Sequence, residues 1–142
     1  MNFFITLSKR HLAVIFAALI IAFLILGQIV TAKSTENSGA TNALRVEFIK
    51  SIGLEPEDSN VISKDIVIPE SFSDVYKEYN TLQKKAGFDL SRYKGENATV
   101  YTYALSGSDR QAHIIVCDGK IIGGDIADID VNGEMQPLKR NS

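Results

Sequence analysis

The chain begins with an apolar run. Leu12 to Leu26, LAVIFAALIIAFLIL, has no polar side chain; Gly27 and Gln28 interrupt the run, and Ile29, Val30, Thr31 and Ala32 complete it. A helix over Leu12–Ala32 would be about 31 Å long at ~1.5 Å per residue, which matches a bilayer core. All its backbone polar groups would be satisfied internally, as lipid requires. A helix apolar on every side cannot be wrapped by a domain of only about 100 residues. The segment is therefore expected to span a membrane, with the lipid bilayer as its partner.

Beyond Ala32 the pattern changes. Lys33 to Thr41, KSTENSGAT, is small, polar and aperiodic, the composition of a flexible stalk. From Asn42 onward, apolar positions recur with helix and strand periods. Leu44, Phe48, Ile49 and Ile52 fall on one helical face over 42–52, and Gly53 supplies a stop. Val61 to Ile68, closed by Pro69, reads as a strand. Ser71 with Asp74 makes a capping-box-like start for a second helix, whose stripe is Phe72, Val75, Tyr76, Tyr79, Leu82 and Ala86 and whose end is Gly87. Ala98 to Leu105 reads as a strand with Tyr101 and Tyr103 on one face and Val100, Thr102 and Ala104 on the other. Asp118-Gly119 between HIIVC and KIIGG is a hairpin signal of the type I′ kind. The expected fold is α+β: an N-terminal transmembrane helix, then a small domain in which two helices cover one face of an antiparallel meander sheet of three to four strands.

Charge sets the orientation. The 142 residues carry 15 basic and 17 acidic side chains, for a net charge of −2. Lys9 and Arg10 precede the apolar run, and every acidic residue follows it. The positive-inside rule places residues 1–11 in the cytoplasm and residues 33–142 outside. Val30 and Ala32 would also suit a signal-peptidase site, giving a secreted module after cleavage near Ala32. The run exceeds the ~7–15 residues of a signal-peptide core, which favours a retained signal anchor. The acidic balance argues against nucleic acid as a partner. One cysteine rules out internal disulfides and multi-cysteine metal sites.

Candidate chemistry is sparse. Cys117 and His113 share a strand face but stand about 13 Å apart at ~3.3 Å per residue, too far for a nucleophilic dyad. Cys117 reads as a small core residue, and His113 as a surface or capped one. Gly123-Gly124 lacks the other parts of a phosphate loop and reads as a β-bulge or close backbone approach. The aromatics Tyr76, Tyr79, Phe88, Tyr93, Tyr101 and Tyr103 suit core packing better than a ligand groove. Phe88 and Leu90 are expected to pin their loop onto the sheet edge.

Asp128, Asp130, Asn132 and Gly133 reproduce the first half of an EF-hand loop, with Asp125 a nearby carboxylate. Position 12 of that loop is Lys139, a cation where a bidentate Glu is required, and Pro137 disfavours the exiting helix. A tight turn at Asn132-Gly133, joining a short strand Ile129–Val131 to Met135–Leu138, is the preferred reading. No catalytic, cofactor or metal residue is expected; Asp128, Asp130 and Asn132 are the weak candidates.

The stretches IPESFSDVYKEYNTLQKKAGFDLSRYKG, ATVYTYAL and VCDGKIIGGDI resemble an uncharacterised bacterial family, domain of unknown function 4830. The likeness runs from about Ile68 to Leu138. It implies a single-pass membrane protein of an anaerobic Gram-positive bacterium and assigns no activity and no catalytic residue. In such a host, the acceptor-like Asn97-Ala98-Thr99 carries no meaning. The expectation is a single-pass protein of the cell membrane whose outer domain is a non-catalytic binding or sensing module. Another envelope protein or peptide is its candidate partner. The rival readings are a calcium-dependent or secreted module and an envelope hydrolase, the latter disfavoured by the absence of any Ser/His/Asp or His-rich motif.

Overall fold

The computed structural model describes residues 38–130 and 133–138. The expected cytoplasmic segment 1–11, transmembrane helix Leu12–Ala32 and stalk residues 33–37 lie outside the described residues, as do Asn132 and Lys139. Among the described residues, no helix is long and apolar enough to cross a membrane.

The elements are α1 (Asn42–Ser51), β1 (Ile62–Val67), α2 (Asp74–Lys85), a 3₁₀ turn (Leu90–Tyr93), β2 (Asn97–Ala104), β3 (Arg110–Cys117), β4 (Lys120–Asp128) and β5 (Met135–Pro137). The strands form one antiparallel meander in the order β1-β2-β3-β4-β5. The α+β class holds, but the strands number five rather than three to four. The Gly123-Gly124 pair does not end β4. β4 runs on to Asp128, long enough for Met135–Pro137 to pair with Asp125–Ala127. Of the separate strand expected at Ile129–Val131, Ile129 and Asp130 lie beyond the end of β4 in no strand and Val131 lies outside the described residues; the partner of β5 is β4 itself.

The helices do not share a face of the sheet. Ile49 of α1 packs with Tyr103, Ile114, Val116, Ile121 and Ile126. Tyr76 and Tyr79 of α2 pack against Ile115, Cys117 and Ile122, the alternate positions of the same strands. Both faces of β3 are therefore buried, and its unbroken apolar run Ile114–Cys117 is the pattern of a strand covered on two sides. The aromatics divide accordingly, with Tyr76, Tyr79 and Tyr93 on the α2 side and Tyr101, Tyr103 and Phe88 on the other. Phe88 meets Phe48 edge-on, and Leu90 is fully buried.

Two further details differ from the sequence reading. The cap of α2 is Ser73, whose Oγ accepts from the Tyr76 N–H at 3.3 Å, and not Ser71. Starting the helix two residues later sets its buried stripe through Tyr76, Tyr79, Asn80 and Gln83 and leaves Val75 77% exposed. Ser38–Thr41 are not tether but part of the domain. Ser38 bridges to Lys120, the Gly39 N–H donates to the Gly119 carbonyl at 2.9 Å, and Thr41 caps α1. The partner of Gly39 is the expected β3–β4 turn, in which Asp118 (φ 47°) and Gly119 (φ 72°) take the positive φ values of type I′.

Asp89 organises the loop after α2. Its Oδ1 accepts from the Ser91 hydroxyl at 2.6 Å, the Asn80 amide at 3.0 Å and the Ser91 N–H at 3.1 Å. These hydrogen bonds, first those of the Ser91 and Asn80 side chains, hold its carboxyl down at about 2. A lowered carboxyl adds stability above its unfolded value, near 3.9, and that stability disappears as pH falls through about 2. The melting temperature should therefore fall between about pH 4 and pH 2, and Asp89→Asn should flatten that limb while lowering the plateau at neutral pH.

Candidate functional site

Two polar clusters stand against the sheet, one on each face. Under α2, cross-strand pairing sets His113 of β3 directly opposite Asp125 of β4. Asp125 is 3% exposed. His113 Nδ1 lies 2.8 Å from Asp125 Oδ1, and the Tyr79 hydroxyl donates to Asp125 Oδ2 at 2.7 Å. Burial, reinforced by the Asp125 charge, pushes the Tyr79 phenol far above its usual range, so it remains a donor. One helix and two strands are thus tied by a single carboxylate. Among the described residues, no hydroxyl or thiol hydrogen-bonds His113, so the pair orients an imidazole without an adjacent nucleophile.

The geometry beside this cluster comes from the glycine pair. The β3–β4 register shifts between Ile115 and Val116, where Ile122 is the extra residue of a bulge, while Gly123 and Gly124, the expected bulge or close approach, pair in register with Ile115 and Ile114. The fully buried Gln83 accepts from the Gly124 N–H at 2.8 Å, and its Nε2 has no hydrogen-bond partner. Cys117 lies buried among Leu90, Ile115 and Ile122, and desolvation pushes its thiol up, away from the reactive thiolate.

On the α1 face, the chief residue is Arg45, which carried no sequence signal beyond its charge. It is 6% exposed. Its Nε donates to the Tyr103 hydroxyl at 2.8 Å, its Nη1 donates to the Gly39 carbonyl at 2.7 Å, and its guanidinium stacks 3.5 Å above the Tyr101 ring. The Tyr103 hydroxyl in turn donates to Asn42 Oδ1 at 2.8 Å. Among the described residues Arg45 has no carboxylate within salt-bridge distance. Two open clefts meet at Tyr101. One, of about 460 Å³, is bordered by Asp65, Asn97, Thr99 and the Gly39-Ala40 backbone. The other, of about 360 Å³, is bordered by Arg45, Asp58, Ser59 and Ser63. Together they form a polar trough along β1 and β2.

The EF-hand-like string covers the end of β4 and the turn beyond it, with Asn132 outside the described residues. Asp128 ends β4, where its Oδ2 accepts from the Glu134 N–H at 3.2 Å and its Oδ1 lies 4.0 Å from Arg110 Nε. The Gly133 N–H returns to the Asp130 carbonyl at 2.8 Å. Asp125 points under α2, away from this string. Asn97-Ala98-Thr99 opens β2, with Thr99 Oγ1 donating to Asp65 at 2.8 Å. Calcium titrated into the purified protein should give no saturable binding below about millimolar and no rise in Tm. A tighter site abolished by Asp130→Ala would contradict this placement.

No curated protein matches the chain, and no solved structure matches it. A family model described as Domain of unknown function (DUF4830) matches residues 48–126, from the middle of α1 to the buried end of β4. The match takes in both polar clusters except the Gly39, Asn42 and Arg45 side of the α1 group. It covers more than half of the 142 residues, and the chain belongs to this family, the domain of unknown function DUF4830.

Proposed function

We propose that the protein is a single-pass envelope protein, anchored through Leu12–Ala32 with its N-terminus in the cytoplasm. Its outer domain binds an extended segment of another envelope protein or peptide and performs no catalysis. The observation that carries the binding reading is the free edge of β1 beside the trough. β1 pairs only with β2 among the described strands, and its Ile62 and Val67 are 66% and 60% exposed. An unpaired edge supplies main-chain hydrogen bonds to an added strand, and the adjoining cleft supplies contacts for its side chains. Self-pairing is opposed. The two symmetric registers that engage most of β1 set Lys64 against Lys64, or Asp65 against Asp65, of a second copy. A foreign strand with its charges in complementary order meets no such penalty.

A photo-crosslinking side chain introduced at Lys64 should give an adduct of one defined mass in intact cells. The same group at Glu78, on the exposed side of α2, should give none. Equal labelling at both positions would refute the edge as the binding surface. Turnover of an envelope substrate by the purified chain would refute the non-catalytic reading.

A further inference from the structure

We propose that the strand added beside β1 carries an acidic residue whose carboxylate is held at Arg45, with a basic residue two positions away on the same face. This rests on the edge-binding reading above and names the chemistry of the partner. The first argument is the set of donors. Arg45 is buried, and a guanidinium has five N–H groups and no acceptor. Its Nε donates to Tyr103 and its Nη1 to the Gly39 carbonyl, while Nη2 has no partner among the described residues. Among those residues Gln83 Nε2 is the one buried side-chain polar atom without a partner. Nη2 is therefore not sealed in the core, and it reaches the surface at the cleft that Arg45 borders. Arg45 can only donate to the Tyr103 hydroxyl, which in turn donates to Asn42 Oδ1. The Asn42 NH2 group is left over as a second donor on the border of the same cleft. α1 adds the positive end of its dipole, since its first turn has no acidic residue.

The second argument is charge. A buried cation with no anion beside it is costly, and no described carboxylate lies within salt-bridge distance of Arg45. Asp58 borders its cleft, and Asp65 and Asp118 border the adjoining one. All three are exposed, so salt screens them over about 8–10 Å, whereas the buried guanidinium is screened much less. The trough thus offers one buried positive centre flanked by exposed negative ones. A uniformly basic segment is opposed by Arg45, and a uniformly acidic one by Asp58 and Asp65. Register places the two charges of the partner. Ser63 pairs with Tyr101, beneath the Arg45 guanidinium, and Asp65 pairs with Thr99 on the same face. On a strand added outside β1, the residue beside Ser63 stands two strand spacings from Tyr101, roughly 10 Å. Glutamate spans more of that gap than aspartate and passes over the small Ser63 side chain. The residue beside Asp65, two positions along, is the basic one.

The test uses the full chain in intact cells, with the photo-crosslinking side chain at Lys64 and adduct yields normalised to the amount of chain. Arg45→Gln would also untie Tyr103 and Gly39, so the exposed Ser63 carries the charge change. Ser63→Glu sets a carboxylate of the chain's own beside Arg45 and should lower the yield about fivefold or more relative to Ser63→Gln. Ser63→Lys should match Ser63→Gln or exceed it. Proteolytic mapping of the adduct should find an acidic residue next to the crosslinked position. Equal yields from Ser63→Glu and Ser63→Lys, a lower yield from Ser63→Lys, or an adduct with no acidic residue there overturns the acidic partner and leaves the edge reading standing. No adduct from the chain with Ser63 in place overturns the edge reading, and this inference with it.

Discussion

Gly124→Ala is expected to lower the stability of the domain by about 3 kcal/mol or more, a loss that few single substitutions reach. Gly124 has φ 151°, and a Cβ there would drive into the His113 carbonyl across the β3–β4 ladder and into the Leu138 side chain. The first of these obstacles is paired backbone, which cannot swing aside. Gly123→Ala meets the flexible end of Gln83 at 2.8 Å and Leu90 at 3.0 Å, and should cost less, about 1–2 kcal/mol. Gly107→Ala has φ 74° but open space around it, and should lose only about 1 kcal/mol. Urea midpoints for the three variants should fall in that order. A Gly124→Ala midpoint equal to that of Gly107→Ala would mean that the His113 carbonyl does not approach Gly124 as closely as this.

Asp125→Ala should cost about 2–3 kcal/mol, because it strands the buried Tyr79 hydroxyl and removes the partner of His113. Asp125→Asn keeps an oxygen acceptor for Tyr79 and should cost less. Once Asp125 is alanine, Tyr79→Phe should cost almost nothing further, and a double-mutant cycle should return a coupling of about 1–2 kcal/mol. Additive losses would place the hydroxyl in solvent.

Local pattern made part of this architecture legible in the sequence. Asp118-Gly119 announces a turn that only positive φ at both positions can make. The stripe through Tyr76 and Tyr79 announces α2, and the paired glycines announce a close backbone approach. The sheet's second covered face was also written in the chain, as the run Ile114–Cys117, but a meander with two helices suggested a single core. Both polar clusters were hidden for a common reason. His113 meets Asp125 only through the β3–β4 register, which the bulge fixes after one extra residue has been absorbed. Arg45 meets Tyr103 from 58 positions away, and a buried guanidinium on an otherwise ordinary helix has no period to betray it. Residues 38–41 read as tether because Ser, Gly, Ala and Thr are linker residues, and here it is Gly39's lack of a side chain that lets the strand-end side chains Val116 and Ile121 receive it.

The proposed orientation of the chain in a membrane is measured most directly by a pair of reporter fusions placed after Ser142. A reporter active only outside the cytoplasm should be active, and one active only inside should be silent, while the fusion stays with the membrane through alkaline carbonate washing. The reverse pattern of activity would contradict the charge argument that places the domain outside, and release of the fusion into the wash would contradict the anchor.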